Sequence, residues 1–270
     1  MIRTAELIRF DRVSTSGRNR PPLVSILTED DEELEAVLKP AGWRELQVSS
    51  VTKELISSIV GGLVGLPICE PFLVDADPKF IGAVQDLGLR NEFAGCTWPA
   101  FATRHAGNQW QNWSIGDKLS GTRLELGLSV LFFDAVSDNS DRGGTTPNLL
   151  VKGAEIRAID HELCFPGNQL IGMATPPPWD PGGMEWLKNS PKKNVLLEPA
   201  SKHDDLDFES IRTAWSDLAD EEIDAILTLI PQNWGGGQAL SLAHSAIQRI
   251  KGVRDNIDGC IAELTRVLSQ

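Results

Sequence analysis

The chain has 270 residues, 41% of them hydrophobic and 23% charged, the balance of a soluble globular protein near the size at which one core divides into two. A formal charge of −13, from 25 Lys and Arg against 38 Asp and Glu, argues against nucleic-acid binding by the whole surface and favours a basic partner. Cys69, Cys96, Cys164 and Cys260 form no C-x-x-C pair, so neither a zinc site nor a disulfide framework is indicated; with no apolar run of bilayer length and no leader-like start, the expected compartment is the cytoplasm.

Residues Leu7 to Pro40 read as a small antiparallel sheet, with short apolar runs at Leu23 to Leu27 and Ala36 to Leu38 separated by polar turns. Between Val13 and Pro21 lies S-T-S-G-R-N-R, a polar turn with one glycine, whose backbone amides could face phosphate oxygens with Arg18 adding charge. Strand alternation places Val37 and Lys39 on one face. A lysine at the end of an apolar strand calls for an acidic partner, and the next helix offers Glu54. That helix is expected to begin at Ser49 or Ser50 and to end by Gly65, with Leu55, Ile59 and Leu63 packing inward and Glu54 beside that stripe. A strand-lysine to helix-glutamate pair would hold the ammonium on the phosphates of a nucleotide.

Ile68 to Val74 and a segment around Ala100 to Thr103 complete the small sheet. Gly107 to Gly116 is a polar aromatic loop expected to cover the core, and Leu124 to Val136 an apolar helix buried in the larger part of the molecule. The stretch from Asp138 to Phe165 carries the chemistry. Leu149 to Val151 and Ile156 to Ile159 are apolar runs separated by Lys152-Gly153-Ala154-Glu155, a turn that pairs them as a hairpin. Asn148 precedes one strand and Asp160 follows its partner, so antiparallel pairing brings two oxygen-bearing side chains together. Such oxygens suit magnesium, which keeps waters and phosphate oxygens as its other ligands, and Asp141 adds a carboxylate nearby.

After Phe165 comes T-P-P-P-W-D-P-G-G, a structured excursion or a mobile loop. The remainder is helical: Asp207 to Leu218, then Glu221 to Ile230 with Asp220 as N-cap, then one helix from Gln238 to Leu268 with apolar residues at a three-four spacing interrupted only by Arg254, about 45 Å long at 1.5 Å per residue.

Taken in order, Lys39, Glu54, Asp141, Asn148 and Asp160 give the sequence a resemblance to the HipA-like kinase family, which is distantly related in fold to the type II phosphatidylinositol kinases. The likeness lies in N-S-D-R, P-N-L-L-V and A-I-D-H-E-L-C-F, supported by E-A-V-L-K-P, K-E-L-I-S-S and G-L-P-I-C-E-P. It extends more weakly to D-E-E-I-D-A-I-L-T-L-I-P-Q-N-W, so it spans residues 7 to 234. It implies an α+β, two-lobed protein-kinase-like fold, with a small antiparallel-sheet N-lobe over residues 1–106 and a mainly helical C-lobe over 107–270. By the same resemblance ATP and Mg2+ are the cofactors. Ser14, Thr15, Ser16, Gly17 and Arg18 would cover the phosphates, Lys39 would contact them and Glu54 would anchor Lys39. Asp141 would be the catalytic acid/base, while Asn148 and Asp160 would hold magnesium.

The implied activity is phosphoryl transfer to serine or threonine of a protein. HipA-like proteins include toxins of toxin–antitoxin systems, restrained by a partner and by phosphorylation in the phosphate loop, which makes Ser14, Thr15 and Ser16 candidates for self-phosphorylation and an antitoxin or regulatory protein a candidate partner. Two departures bear on this: Thr146 stands where relatives have a further asparagine, and Glu162 where they have glycine. The alternatives are a lipid kinase, disfavoured by the acidic surface, and a catalytically silent nucleotide-binding interaction protein.

Overall fold

The computed structural model describes residues 2–15, 19–114, 116–166 and 176–269. Its first half is built on five strands: β1 (Arg3–Val13), β2 (Pro22–Thr28), β3 (Glu33–Ala41), β4 (Pro71–Asp75) and β5 (Thr97–Arg104). They close into a barrel in the order β1-β2-β3-β5-β4. The expected all-antiparallel sheet is corrected at one pair. β4 runs parallel to β1, with Arg3 opposite Phe72 and Glu6 opposite Asp75. A parallel partner needs a long crossover, and the chain supplies one through α1 (Val48–Leu63) before returning as β4. Closure leaves the sheet without an exposed edge.

Period-2 alternation sorts β3 as expected. Leu34, Ala36 and Leu38 are buried inside the barrel with Val24, Ile26, Phe72 and Val74, while Val37 and Lys39 lie on the other face. Two short helices absent from the sequence expectation, α2 (Pro78–Ala83) and α3 (Leu87–Ala94), close one side of the barrel. Each starts on an aspartate that caps it: Asp77 accepts from the Lys79 amide and Asp86 from that of Leu89. Phe93 on α3 then packs 5.1 Å from Trp43 and 5.9 Å from Phe10, ring centre to ring centre.

α1 begins at Val48 after Gln47, one or two residues before the expected serines. Its buried side is Val51, Leu55, Ile56 and Val60, whereas Leu63, expected inside, is exposed. This helix belongs to a second core, shared with α4 (Thr122–Val136) and the C-terminal helices.

The predicted hairpin forms as β7 (Leu149–Lys152) and β8 (Glu155–Ala158). The polar aromatic loop contributes β6 (Gln111–Asn112), which pairs with β7 as a third strand, and buries Trp113 in the second core.

Beyond residue 176 come α5 (Trp186–Asn189), α6 (Leu197–Ala200), α7 (Glu209–Ser216), α8 (Asp220–Asp224) and α9 (Ile226–Leu229), followed by α10 (Gly237–Asp255) and α11 (Ile257–Leu268). Asp220 is the first residue of α8 rather than its cap, which is Ala219. The single terminal helix expected from spacing is two, broken at Asn256, whose backbone and side-chain N–H groups both donate to the Gly252 carbonyl. Trp179 of the Pro-rich segment packs against Gly252 and Gly259, where any larger side chain would meet it. No helix among the described residues is long and apolar enough to cross a membrane.

Candidate active site

Lys39 leaves the outer face of β3 and reaches two carboxylates at once. Its Nζ donates to Glu54 Oε1 on α1 and, at 2.9 Å, to Asp160 Oδ1 just after β8. The barrel, the α1 helix and the hairpin therefore meet at one ammonium. The Lys39 side chain is 13% exposed, Glu54 is sealed at 1%, and Asp160 opens outward at 36%.

The electrostatics follow from that gradient. Burial alone would lower the Lys39 pKa, but the negative charges of Asp160 and Glu54 outweigh it and the pKa is raised. Burial would likewise push Asp160 up, but the Lys39 ammonium overrides it and holds this carboxyl below the usual range. Glu54 is raised, by burial first, with Lys39 opposing. Of the two acids, Asp160 keeps its charge to lower pH.

Asp160 and Asn148 both sit in the left-handed backbone region, at φ 59° and 53°, a conformation Asn and Asp tolerate better than other side chains. The hairpin register brings their backbones together, with the Ile159 amide donating to the Asn148 carbonyl at 3.0 Å. The Asn148 side-chain amide donates to Asp141 Oδ2 at 3.0 Å, and Lys192 Nζ donates to Asp141 Oδ1 at 2.9 Å. Among the described residues no donor reaches Asn148 Oδ1.

A buried network that sequence reasoning missed ties these two groups together. Arg142, 1% exposed, makes a two-pronged ion pair with Asp134 of α4 at 3.0 and 3.1 Å. Its remaining Nη1 donates to the carbonyls of Asn148 and Ile159, the residues flanking the hairpin base. Asn139 and Asn194 donate to the two Asp134 oxygens at 2.7 and 2.8 Å, and the Asn139 side-chain oxygen accepts from the Asp141 amide. Every oxygen of this buried carboxylate is thus used, the condition for burying a charge pair. The available signal was one acid inside the apolar run L-S-V-L-F-F-D-A-V. His161, next to Asp160, is buried and its pKa is lowered, by burial first and then by Arg142 and Lys39; its Nδ1 lies 3.9 Å from Glu54 Oε2.

Ser14 and Thr15 lie in the turn from β1 to β2, and Ser16, Gly17 and Arg18 fall outside the described residues. Val13 pairs with Pro22 and Leu23 with Val37, so this turn stands at the Lys39 end of the barrel. It is tied down by the Ser14 amide on the Pro21 carbonyl and by the Trp43 indole on the Asn19 carbonyl. Thr146 is exposed in the loop before Asn148.

Among the described residues no three His, Cys, Asp or Glu side chains form a metal cage. Asp160 and Asn148 instead bring two hard oxygen-donor side chains to neighbouring backbone positions at the hairpin base, a donor type that suits an ion that keeps waters and phosphate oxygens. Two clefts, of about 340 and 210 Å3, lie elsewhere, beside α2 and α3 and between the turn after α1, α4 and α7, and neither is lined by Lys39, Asp141 or Asp160.

With this geometry in place, the fold finds a counterpart. The chain is similar to the crystal structure of a Helicobacter pylori proinflammatory kinase, CtkA. The TM-score is 0.52 at 10% sequence identity, over 99% of this chain and 100% of that one. At that identity the likeness is one of fold. It does not single out the HipA-like family. No protein-family profile and no curated protein sequence matches the chain.

Proposed function

We propose that the chain is an ATP- and magnesium-dependent phosphotransferase, a kinase of the HipA-like kind acting on serine or threonine of a protein. In this reading residues 1–106 form the N-lobe and residues 107–270 the C-lobe. The observation that carries it is the Lys39 ammonium held between Glu54 and Asp160, parts that are remote in sequence. A partly buried amine shared by two carboxylates, one of them a third exposed, is costly as a stability device and suits an amine that takes phosphate oxygens.

Lys39, kept charged by its two acids, binds phosphate oxygens, and Glu54 fixes where the amine points. Asp160 and Asn148 would hold magnesium, which when bound neutralises charge on the phosphates. Asp141, oriented by the Asn148 amide, accepts the proton of the acceptor hydroxyl. Arg142 keeps the backbones of Asn148 and Ile159 at fixed spacing, so the metal-side and base-side groups keep one geometry. The β1–β2 turn with Ser14 and Thr15 covers the phosphates and is the segment open to self-phosphorylation.

The test is phosphate transfer from γ-labelled ATP with magnesium, to the chain itself and to a panel of proteins and liposomes. Wild type incorporates or transfers label and Asp141→Ala does not. Equal labelling of the two defeats the proposal, and transfer to lipid alone moves it to the lipid-kinase alternative.

A further inference from the structure

Lys192 was not among the residues singled out by sequence, yet its Nζ is 2.9 Å from Asp141 Oδ1. The side chain is 61% exposed and that of Asp141 27%. An exposed ion pair contributes little to stability, so the pair itself does not explain why the lysine stands there. The backbone beneath it does. Gly143, two residues after Asp141, forms an antiparallel bridge with Asn194, and the Val195 amide donates to the Arg142 carbonyl at 2.9 Å. The Asn194 side chain, buried at 6%, donates to Asp134 and accepts from the Leu196 amide. Gly143 is a glycine because a Cβ there would stand 2.4 Å from the Lys193 carbonyl oxygen and 2.9 Å from that of Lys192. The segment carrying Lys192 is therefore docked on the loop carrying Asp141 by buried polar contacts and by backbone packed on backbone. The root of the Lys192 side chain is thereby held beside Asp141.

The charge balance gives that delivery a purpose. In the reading above Lys39 serves the phosphates from the side of Glu54 and Asp160, and Arg142 is taken up by Asp134 and two carbonyls. A triphosphate approaching Asp141 would meet a carboxylate, and the ammonium that the structure places on that carboxylate is Lys192.

We infer that Lys192 is a catalytic residue, the cation that contacts the transferring phosphoryl group on the side of Asp141. The inference rests on the phosphotransfer reading above. In the step it serves, the acceptor O–H gives its proton to Asp141 while its oxygen bonds to the γ-phosphorus. The bond from that phosphorus to the β,γ-bridging oxygen breaks, and its electron pair leaves on the diphosphate. Lys192 Nζ moves from Asp141 Oδ1 alone to share the γ-phosphoryl oxygens, and stabilises the charge spread over them.

The experiment compares equilibrium binding of ADP and of the β,γ-imido analogue of ATP, each with magnesium, in wild type, Lys192→Ala and Lys192→Arg, by titration calorimetry. Lys192→Ala is expected to leave ADP affinity within about twofold and to weaken the imido analogue about tenfold or more, the loss of one charge-assisted contact. Lys192→Arg, which keeps the charge, restores most of the difference. Release of phosphate from ATP by the full chain falls about a hundredfold in the alanine variant.

Equal effects of Lys192→Ala on the two nucleotides, or none on either, overturn the assignment while leaving the kinase reading intact. A faster alanine variant also overturns it, because the ion pair is then an inhibitory latch. A wild type that binds neither nucleotide defeats the phosphotransfer reading first, and this assignment with it.

Discussion

Lys39 Nζ and Asp160 Oδ1 are 121 positions apart in the chain and 2.9 Å apart in space. No local pattern produces such a contact; it exists because β3 presents Lys39 on its outer face and the hairpin ends where that face is met. Lys39→Met removes the ammonium and leaves the sealed Glu54 beside the more open Asp160. Transfer from ATP should fall about 10²–10³-fold, the cost of losing a preorganised electrostatic contact. Glu54→Gln, which leaves Lys39 bound to Asp160, should cost less, about tenfold, by loosening the amine. Steady-state rates for the two variants check the order; a Glu54→Gln loss larger than that of Lys39→Met would show that the glutamate does more than anchor.

Asp134 and Arg142 form the buried pair that the site is mounted on. Asp134→Ala strands a buried guanidinium and should destabilise the fold by about 3–5 kcal/mol. Replacing both, as Asp134→Leu with Arg142→Met, should recover part of that stability, since the stranded charge is gone while Asn139, Asn194 and two carbonyls still lack their partners. Activity should not return, because the carbonyls of Asn148 and Ile159 lose the donor that spaces them. Urea unfolding midpoints and ATP turnover on the same three proteins separate the two roles.

The parts of this arrangement that were legible in the sequence are those where a charged residue breaks a short-range pattern. Lys39 ends an apolar strand, Glu54 sits against an apolar helical stripe, and Asn148 and Asp160 bracket two apolar runs with a four-residue turn between them. What was not legible depends on contacts the local pattern does not encode. The parallel pairing of β1 with β4 closes a barrel through residues far apart in the chain, Arg3 opposite Phe72 among them. Asn194 and Lys192 reach the Asp141 loop only through tertiary packing. The interruption of the spacing at Arg254 did not read as a break at Asn256, because Val253, Ile257 and Cys260 continue the buried stripe across it. Asp134 is visible as an acid in an apolar helix, but nothing local pairs it with Arg142 eight residues on.

Gly143 allows a test of the docking between that loop and the segment from Lys192 to Val195. Gly143→Ala places a methyl group against the Lys193 carbonyl oxygen and should push the segment away, at a cost of about 1–3 kcal/mol typical of overpacking. If the segment serves only the fold, activity follows stability and recovers at low temperature. If it delivers Lys192 to Asp141, the residual activity of the folded Gly143→Ala protein should match that of Lys192→Ala, measured where both are fully folded by tryptophan fluorescence.

The buried thiols give a pH dependence with a definite sign. Cys164 and Cys260 are pushed up to about 12 by burial, from an ordinary value of 9. A group whose pKa is raised in the folded state contributes its stability in full below the unfolded value and loses it as pH rises toward the folded value. Between pH 9 and about 12 the unfolded chain therefore releases thiol protons that the folded chain keeps, and each thiol lowers stability by up to about 1.4 kcal/mol per pH unit. Urea unfolding at pH 7.5, 9 and 10 should show wild type losing stability above pH 9 more steeply than Cys164→Ala or Cys260→Ala, whatever offset the substitutions cause at pH 7.5. Other groups titrating in that range are common to all three proteins and cancel in the comparison of slopes. Identical slopes in all three would mean that these thiols ionise in the folded protein as readily as in the unfolded chain, and that the packing around α4 and α11 admits water.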